Sequence, residues 1–242
     1  GLRSRPARRG DGTRLVFIAG LEGSGHHFLQ GVLRGTGYGR AALPGTWECG
    51  FQWERRVYGE AVKMFKELGA GTFVLPHVSY PCGGGSHEHK MLQRPRIDWL
   101  AEAAEEAGVL LQVLFLLRPM DEVLTSGCEK REFEDCDLHA ETLSNNTEAL
   151  VSQMRALRLD QITCLRLGDM KSMKAAVKEA FGDLVPDGRV ESEYEEPWSK
   201  YVVSEWPSLA GPLQESYAAL DGICNSSAQI SVKGLVDMVH QG

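Results

Sequence analysis

Four short apolar runs rich in strand-forming residues, each followed by a segment with helical spacing, constrain this chain more than any other feature. Arg14-Leu15-Val16-Phe17-Ile18-Ala19 is almost continuously hydrophobic and stops at Gly20, the pattern of a strand buried on both faces. Residues 26 to 35 then place Phe28, Leu29, Val32 and Leu33 on one helical face, with Gly35 as the stop. A helix at 54 to 68, with Val57, Ala61, Phe65 and Leu68 on one face, precedes a second strand at Thr72-Phe73-Val74-Leu75. A helix at 97 to 107, ended by Gly108, precedes a third strand over 109 to 117, and Pro119 suits the first position of the next helix. A long amphipathic helix at 137 to 158 carries Leu143, Leu150, Met154 and Leu157. Ile162 to Leu167 is a further strand and 172 to 181 a further helix. This alternation predicts an α/β fold, a central parallel sheet flanked by helices on both faces. Residues 36 to 52 read as irregular, and the C-terminal segment with Trp198, Trp206 and Pro207 reads as a cap on the sheet or one wall of a pocket.

With 242 residues, 43% of them hydrophobic, the chain can bury one sizeable core, and no internal repeat divides it. The expected organisation is a basic leader over residues 1–13, with Arg3, Arg5, Arg8 and Arg9, followed by a single domain over 14–242. Asp and Glu outnumber Lys and Arg by 33 to 26, a net charge of -7, so no overall positive field draws the chain to nucleic acid. The longest apolar run, Val109 to Leu117, is interrupted by Gln112 and falls far short of the roughly 20 residues that span a bilayer. No membrane span is expected in this chain.

Six cysteines, Cys49, Cys82, Cys128, Cys136, Cys164 and Cys224, are scattered without CxxC pairs, which argues against a zinc site or a dense disulfide framework, although Cys128 and Cys136 are close enough to bridge. Asn145-Asn146-Thr147 and Asn225-Ser226-Ser227 are glycosylation sequons. The chain starts at Gly1, which leaves room for an upstream signal or anchor, so a cytoplasmic and a Golgi or secretory location both stay open.

The segment Gly20-Leu21-Glu22-Gly23-Ser24-Gly25-His26-His27 falls where the first strand gives way to the first helix. Glycines at 20, 23 and 25 free the backbone to turn its N–H groups toward an anion, and the helix start adds a partial positive charge. A phosphate cradle is the functional reading and an ordinary tight strand-to-helix turn the alternative. The Gly20-to-Gly25 spacing is that of a Walker A loop, yet His26 stands where that loop needs Lys, and His27 where it needs the Ser or Thr that holds magnesium. A nucleotide-dependent kinase is therefore the lesser alternative. A sulfate ester carries less negative charge than a phosphate ester and needs no divalent clamp, so these donors suit sulfuryl transfer better.

With further segments the turn resembles the sulfotransferases that use 3′-phosphoadenosine 5′-phosphosulfate (PAPS). Ser24-Gly25-His26-His27 occupies the place of that family's 5′-phosphosulfate loop. Arg118 at a strand end and Ser126 eight residues on have the spacing of the pair that holds the 3′-phosphate, a guanidinium fork with an added hydroxyl. His77, in Leu75-Pro76-His77-Val78-Ser79-Tyr80, resembles the strand-end histidine that serves as general base, and the string is similar to one in uronosyl 2-O-sulfotransferases. A histidine packed at a strand end is the structural alternative. Leu167-Gly168-Asp169-Met170 is similar to the family's Tyr-Glu-Asp-Leu segment and reads as structural, Asp169 capping a helix or supporting nearby loops.

The resemblance implies a P-loop-like sulfotransferase architecture, PAPS as donor, no metal, and a small-molecule or carbohydrate hydroxyl as acceptor. It assigns donor binding to Gly23, Ser24, Gly25, His26, His27, Arg118 and Ser126, and catalysis to His77 with His26 and His27. Gly23 stands where the family carries Lys or Arg, so His26 and His27 are the substitutes, with Glu22 a reserve base and Lys200 or Lys233-Gly234 faint counterparts of the closing basic loop. That gap keeps a third reading open, a homologue that binds nucleotide without catalysis. His87-Glu88-His89 near Cys82 reads as exposed rather than metal-binding, and Glu191, Glu193, Glu195 and Glu196 as a solvated face. Trp47, Trp53, Trp198 and Trp206 line a sugar cleft or serve as core and lid.

Overall fold

A computed structural model describes residues 12–21, 23–41, 55–75, 94–129, 136–195 and 213–226. The described strands are β1 (Thr13–Gly20), β2 (Gly39–Arg40), β3 (Gly71–Val74), β4 (Leu110–Leu117) and β5 (Ile162–Arg166). The helices are α1 (His26–Leu33), α2 (Arg55–Glu67), α3 (Ile97–Ala107), α4 (Met120–Cys128), α5 (Cys136–Arg155), α6 (Met170–Phe181), α7 (Arg189–Glu195) and α8 (213–226). The strands form one sheet in the order β2-β3-β1-β4-β5, with every pairing parallel. The fold is α/β with a central parallel sheet flanked by helices, a layout consistent with a P-loop-like architecture that other α/β folds share.

Period-two alternation along the strands builds the two faces. Leu15, Phe17 and Ala19 of β1 and Leu111, Val113 and Phe115 of β4 point to one side, where they pack with Phe65 of α2, Leu100 of α3, Met154 of α5 and Leu220 of α8. Val16 and Ile18 of β1 and Leu114 and Leu116 of β4 point to the other, against Phe28 and Leu29 of α1, Val177 of α6 and Val190 of α7. A third cluster closes the end of the sheet: Leu21 beyond β1, Val123 and Leu124 of α4, Leu143 of α5 and Leu213 of α8. Because β1 and β4 are covered on both sides, their sequences read as unbroken apolar runs.

The departures from the expected elements are local. β2 is a two-residue edge strand inside a stretch expected to be irregular; it extends the sheet by pairing Gly39 and Arg40 with Phe73 and Val74. Pro119 lies one residue outside α4, at the cap position, with φ -49° and ψ 138°, an extended setting that a proline ring accepts. α5 stops at Arg155 rather than 158, and Leu157 reaches the core from the turn that follows, its N–H donating to the Met154 carbonyl. Glu191 and Glu193 of α7 are not simply solvated, and the Glu195 side chain and Glu196 lie outside the described residues: Glu191 pairs with Lys174, and Glu193 with Arg189 at 2.9 Å, while Arg189 donates to the Gly31 carbonyl of α1 at 2.8 Å. The Arg189 bond docks α7 onto α1, and the Lys174 pair ties it to α6.

The local cysteine bridge is formed and a second one joins it. Cys128 and Cys136 bridge the α4–α5 connection with Cα atoms 5.6 Å apart. Cys164 of β5 and Cys224 of α8 form a second disulfide at 5.8 Å, which sequence spacing did not suggest. Arg166 beside it binds Asp221 and donates to Asn225 at 3.1 Å, so α8 is tied to the sheet by a covalent bond and a charged fork. The other sequon lies within α5, where the Thr147 hydroxyl is buried and donates to the Leu143 carbonyl at 2.7 Å.

Candidate functional site

The C-terminal ends of β1, β4 and β5 are adjacent in the sheet, and the loops that leave them meet. β1 can end tight against β4 because Gly20 has no side chain: a Cβ there would lie 2.9 Å from Leu116 Cβ and 3.3 Å from the His26 ring. The chain then reverses, the Ser24 N–H donating to the Leu21 carbonyl at 3.0 Å, with Gly23 at φ 86°. Gly25 caps α1 in the left-handed conformation at φ 104°, with no side-chain cap and no acidic residue in the first turn of the helix. Both positive angles strain any residue with a Cβ. The turn is buried, Ser24 being 1% exposed, and Leu167 beyond β5 closes over Gly25.

Arg118 and Ser126 come to this turn from the β4–α4 corner. The Arg118 side chain is 1% exposed; its Nη1 donates to the Gly23 carbonyl at 2.9 Å and its Nε pairs with Glu122 at 2.7 Å. Ser126, two turns along α4 and 8% exposed, lies with its Oγ 3.4 Å from the position a Cβ of residue 23 would take. The two segments singled out in the sequence are thus in direct contact.

The two histidines separate. The His26 ring lies over Gly20, turned back toward the strand ends, whereas His27 is exposed and pairs with Gln30 of its own helix through Nδ1 at 3.2 Å. Asp169 caps α6 by accepting from the Ser172 N–H at 3.1 Å. His77, Glu22, Lys200, Lys233, Gly234, the His87-Glu88-His89 cluster, Cys49, Cys82 and Trp47, Trp53, Trp198 and Trp206 lie outside the described residues. Among the described residues no cluster of His, Cys, Asp or Glu could hold a metal ion.

Three residues join the site that the sequence reading passed over. Glu122 sits one helical turn after Arg118, an i,i+4 pairing visible in the sequence once α4 is placed. Tyr194 of α7 stacks edge-on against Phe28 at 6.1 Å, and burial, together with the Glu122 carboxylate, raises its phenol pKa against the opposing pull of Arg118. Tyr217 of α8 reaches the same corner from the opposite face, packed against the cluster of Leu21 and Val123. Burial raises its phenol pKa, with Arg118 opposing and Asp221 reinforcing. Neither tyrosine has a sequence signal beyond its type.

The chain matches no protein-family model and no curated protein. A glycine turn, a helix start and a buried guanidinium meet at this corner, groups of the kind that can face an anion, with the Glu122 carboxylate and the Gly23 carbonyl already bonded to Arg118.

Proposed function

We propose that the chain is a sulfotransferase that moves the sulfuryl group of PAPS to a hydroxyl of a carbohydrate or small-molecule acceptor. One observation carries the reading: Arg118 and Ser126 pack directly on the Gly23–Gly25 turn, so donors suited to both anionic ends of one nucleotide lie within one nucleotide's reach. When bound, PAPS supplies an activated sulfuryl group whose leaving phosphate needs charge stabilisation rather than a divalent metal. Gly23, Ser24, Gly25 and the first turn of α1 hold the 5′ end, with the His26 ring beside them. His27, facing Gln30, takes the more peripheral role. Arg118 and Ser126 hold the 3′-phosphate. His77 is assigned as general base, its neutral imidazole accepting the proton of the acceptor hydroxyl; that assignment rests on its sequence position.

Calorimetry with 3′-phosphoadenosine 5′-phosphate (PAP) against ATP with magnesium tests the donor, and a radiolabelled sulfate-transfer screen tests the reaction. PAP is expected to bind more tightly than ATP; the reverse order returns the chain to the kinase reading. His77→Ala should abolish transfer and leave PAP affinity intact, and loss of both would overturn the assignment of the base.

A second reading, a nucleotide-binding homologue without catalysis, is favoured by two features. Nε and Nη1 of Arg118 already serve Glu122 and Gly23, and no lysine or arginine stands at position 23. PAP binding without transfer to any acceptor would select it.

A further inference from the structure

We propose that Tyr217 is a hydrogen-bond donor to the phosphate held at Arg118, a third side-chain donor beside Arg118 and Ser126. Its ring packs against the cluster that gathers Leu21, where β1 runs into the glycine turn, with Val123 and Leu124 of α4, the helix that follows Arg118 and carries Ser126. Leu143 and Leu213 belong to the same cluster, so the ring packs among apolar side chains from α4, α5 and α8. That hydroxyl is shielded from solvent and has no hydrogen-bond partner among the described residues. A buried hydroxyl left without a partner is destabilising, and phenylalanine would fill the same space without that cost. The Tyr217 hydroxyl therefore calls for an acceptor that the described residues do not supply.

Its surroundings say which acceptor fits. Tyr217 packs against the cluster that holds Val123 and Leu124 of the helix following Arg118, and the Arg118 charge acts on the phenol, which favours an anion as the acceptor. Burial raises the phenol pKa above its ordinary value, which keeps the proton on oxygen at neutral pH and makes the group a donor to an anion. Tyr194 does not duplicate the role: it lies on the other face of the sheet, against Phe28, with its hydroxyl beside Gly168. α8 is anchored by the Cys164–Cys224 disulfide and the Arg166–Asp221 pair, so Tyr217 is presented from a fixed helix.

This inference rests on the nucleotide reading above, and the test separates the two. Binding of PAP and of adenosine 5′-phosphate, which lacks the 3′-phosphate, is measured by calorimetry for the wild type and Tyr217→Phe, with thermal unfolding of each free protein. The expected result is a loss on the order of 10-fold in PAP affinity for Tyr217→Phe, no change for adenosine 5′-phosphate, and a melting temperature equal to or above that of the wild type. Wild-type PAP affinity in the variant, or an equal loss for both nucleotides, overturns the role of Tyr217 while leaving the nucleotide reading standing. A variant that melts several degrees lower or fails to fold shows that the hydroxyl has a structural partner, and overturns it too. If the wild type binds neither nucleotide, the nucleotide reading itself is wrong and this inference falls with it.

Discussion

Arg118 Nη1 donates a 2.9 Å hydrogen bond to the carbonyl oxygen of Gly23, joining the end of β4 to the turn after β1 across 95 residues of sequence. The same side chain, 1% exposed, pairs with Glu122, so one guanidinium holds the glycine turn and the first turn of α4 in register. Arg118→Ala leaves the Gly23 carbonyl and a half-buried carboxylate without their donor, and should cost about 3 kcal/mol, the low end for a broken buried pair because water can reach Glu122. Arg118→Lys keeps the charge but cannot fork to both acceptors, and should recover only part of that. Urea unfolding of the two variants checks this, and a loss below about 1 kcal/mol for Ala would show that the clamp does little for stability. PAP affinity should fall in both.

The pairing with Glu122 also sets how much positive charge the corner can offer a ligand. Glu122→Gln preserves the shape of the side chain and removes the counter-charge. An anion bound at Arg118 then faces one negative charge fewer, and PAP affinity should rise several-fold at low salt, with the gain shrinking at high salt. The stability cost should stay under about 1 kcal/mol because the carboxylate is partly solvated. Unchanged PAP affinity would mean that Arg118 acts only as a clamp.

Gly23 and Gly25 differ in what a side chain would meet. At both the backbone is left-handed, and alanine strains it by about 1 kcal/mol. A Cβ at 25 also comes within 3.1 Å of Leu167 Cδ2, tighter than ordinary contact, whereas at 23 the nearest atoms are at 3.4 Å. Gly25→Ala should therefore destabilise by roughly 2 kcal/mol and Gly23→Ala by roughly 1. Paired thermal melts give the order, and equal losses would show that Leu167 yields freely.

The strands and most helices were legible because β1 and β4 are buried on both faces, so the sheet writes itself into the sequence as apolar runs ending at Gly20 and Arg118. Turn chemistry was legible for the same kind of reason: Gly20, Gly23 and Gly25 are each demanded by a close approach or a positive φ. β2 was not, because a two-residue edge strand has no period to read. Arg118 could be picked out as a strand-end cation, but its bond to a backbone carbonyl 95 residues away leaves no trace in residue types. Tyr217 and the Cys164–Cys224 bridge were invisible for a related reason: both depend on how α8 docks, and no local pattern encodes a tertiary contact of that range.

The two disulfides among the described residues close loops of very different length, which orders their effects. Cys164–Cys224 spans 60 residues and Cys128–Cys136 spans 8. Chain-entropy scaling gives roughly 4 kcal/mol for the longer loop and roughly 2.5 for the shorter. The double variant Cys164→Ser with Cys224→Ser should therefore lower stability more than Cys128→Ser with Cys136→Ser, read by urea unfolding without reductant. It should also weaken PAP binding, because α8 carries Tyr217. The opposite order of stabilities would show that residual structure in the unfolded chain, not loop length, governs these bridges.

Asp98 gives the fold a pH dependence whose sign is fixed. Burial pushes its carboxyl pKa up, but the Arg96 fork, with contacts of 2.9 and 2.6 Å, and the Trp99 N–H overcome this and hold it below the ordinary value. Arg96 in turn lies over the Trp99 ring at 4.3 Å, which fixes the guanidinium at the start of α3. A depressed folded-state pKa means that the unfolded chain binds the proton more readily. The contribution is therefore fully present above the unfolded value of about 3.9 and is lost as pH falls through the folded value. Asp98→Asn should lower stability at pH 7 by less than about 1 kcal/mol, since Arg96 is well exposed and solvent screens the pair. The difference from wild type should be the same at pH 5.5 and close as pH falls through the depressed folded-state value, where the wild-type carboxyl is itself protonated. Urea unfolding across that range measures it. A gap that persists at the acid end would show that shape or the helix start, rather than the carboxylate charge, is what position 98 contributes.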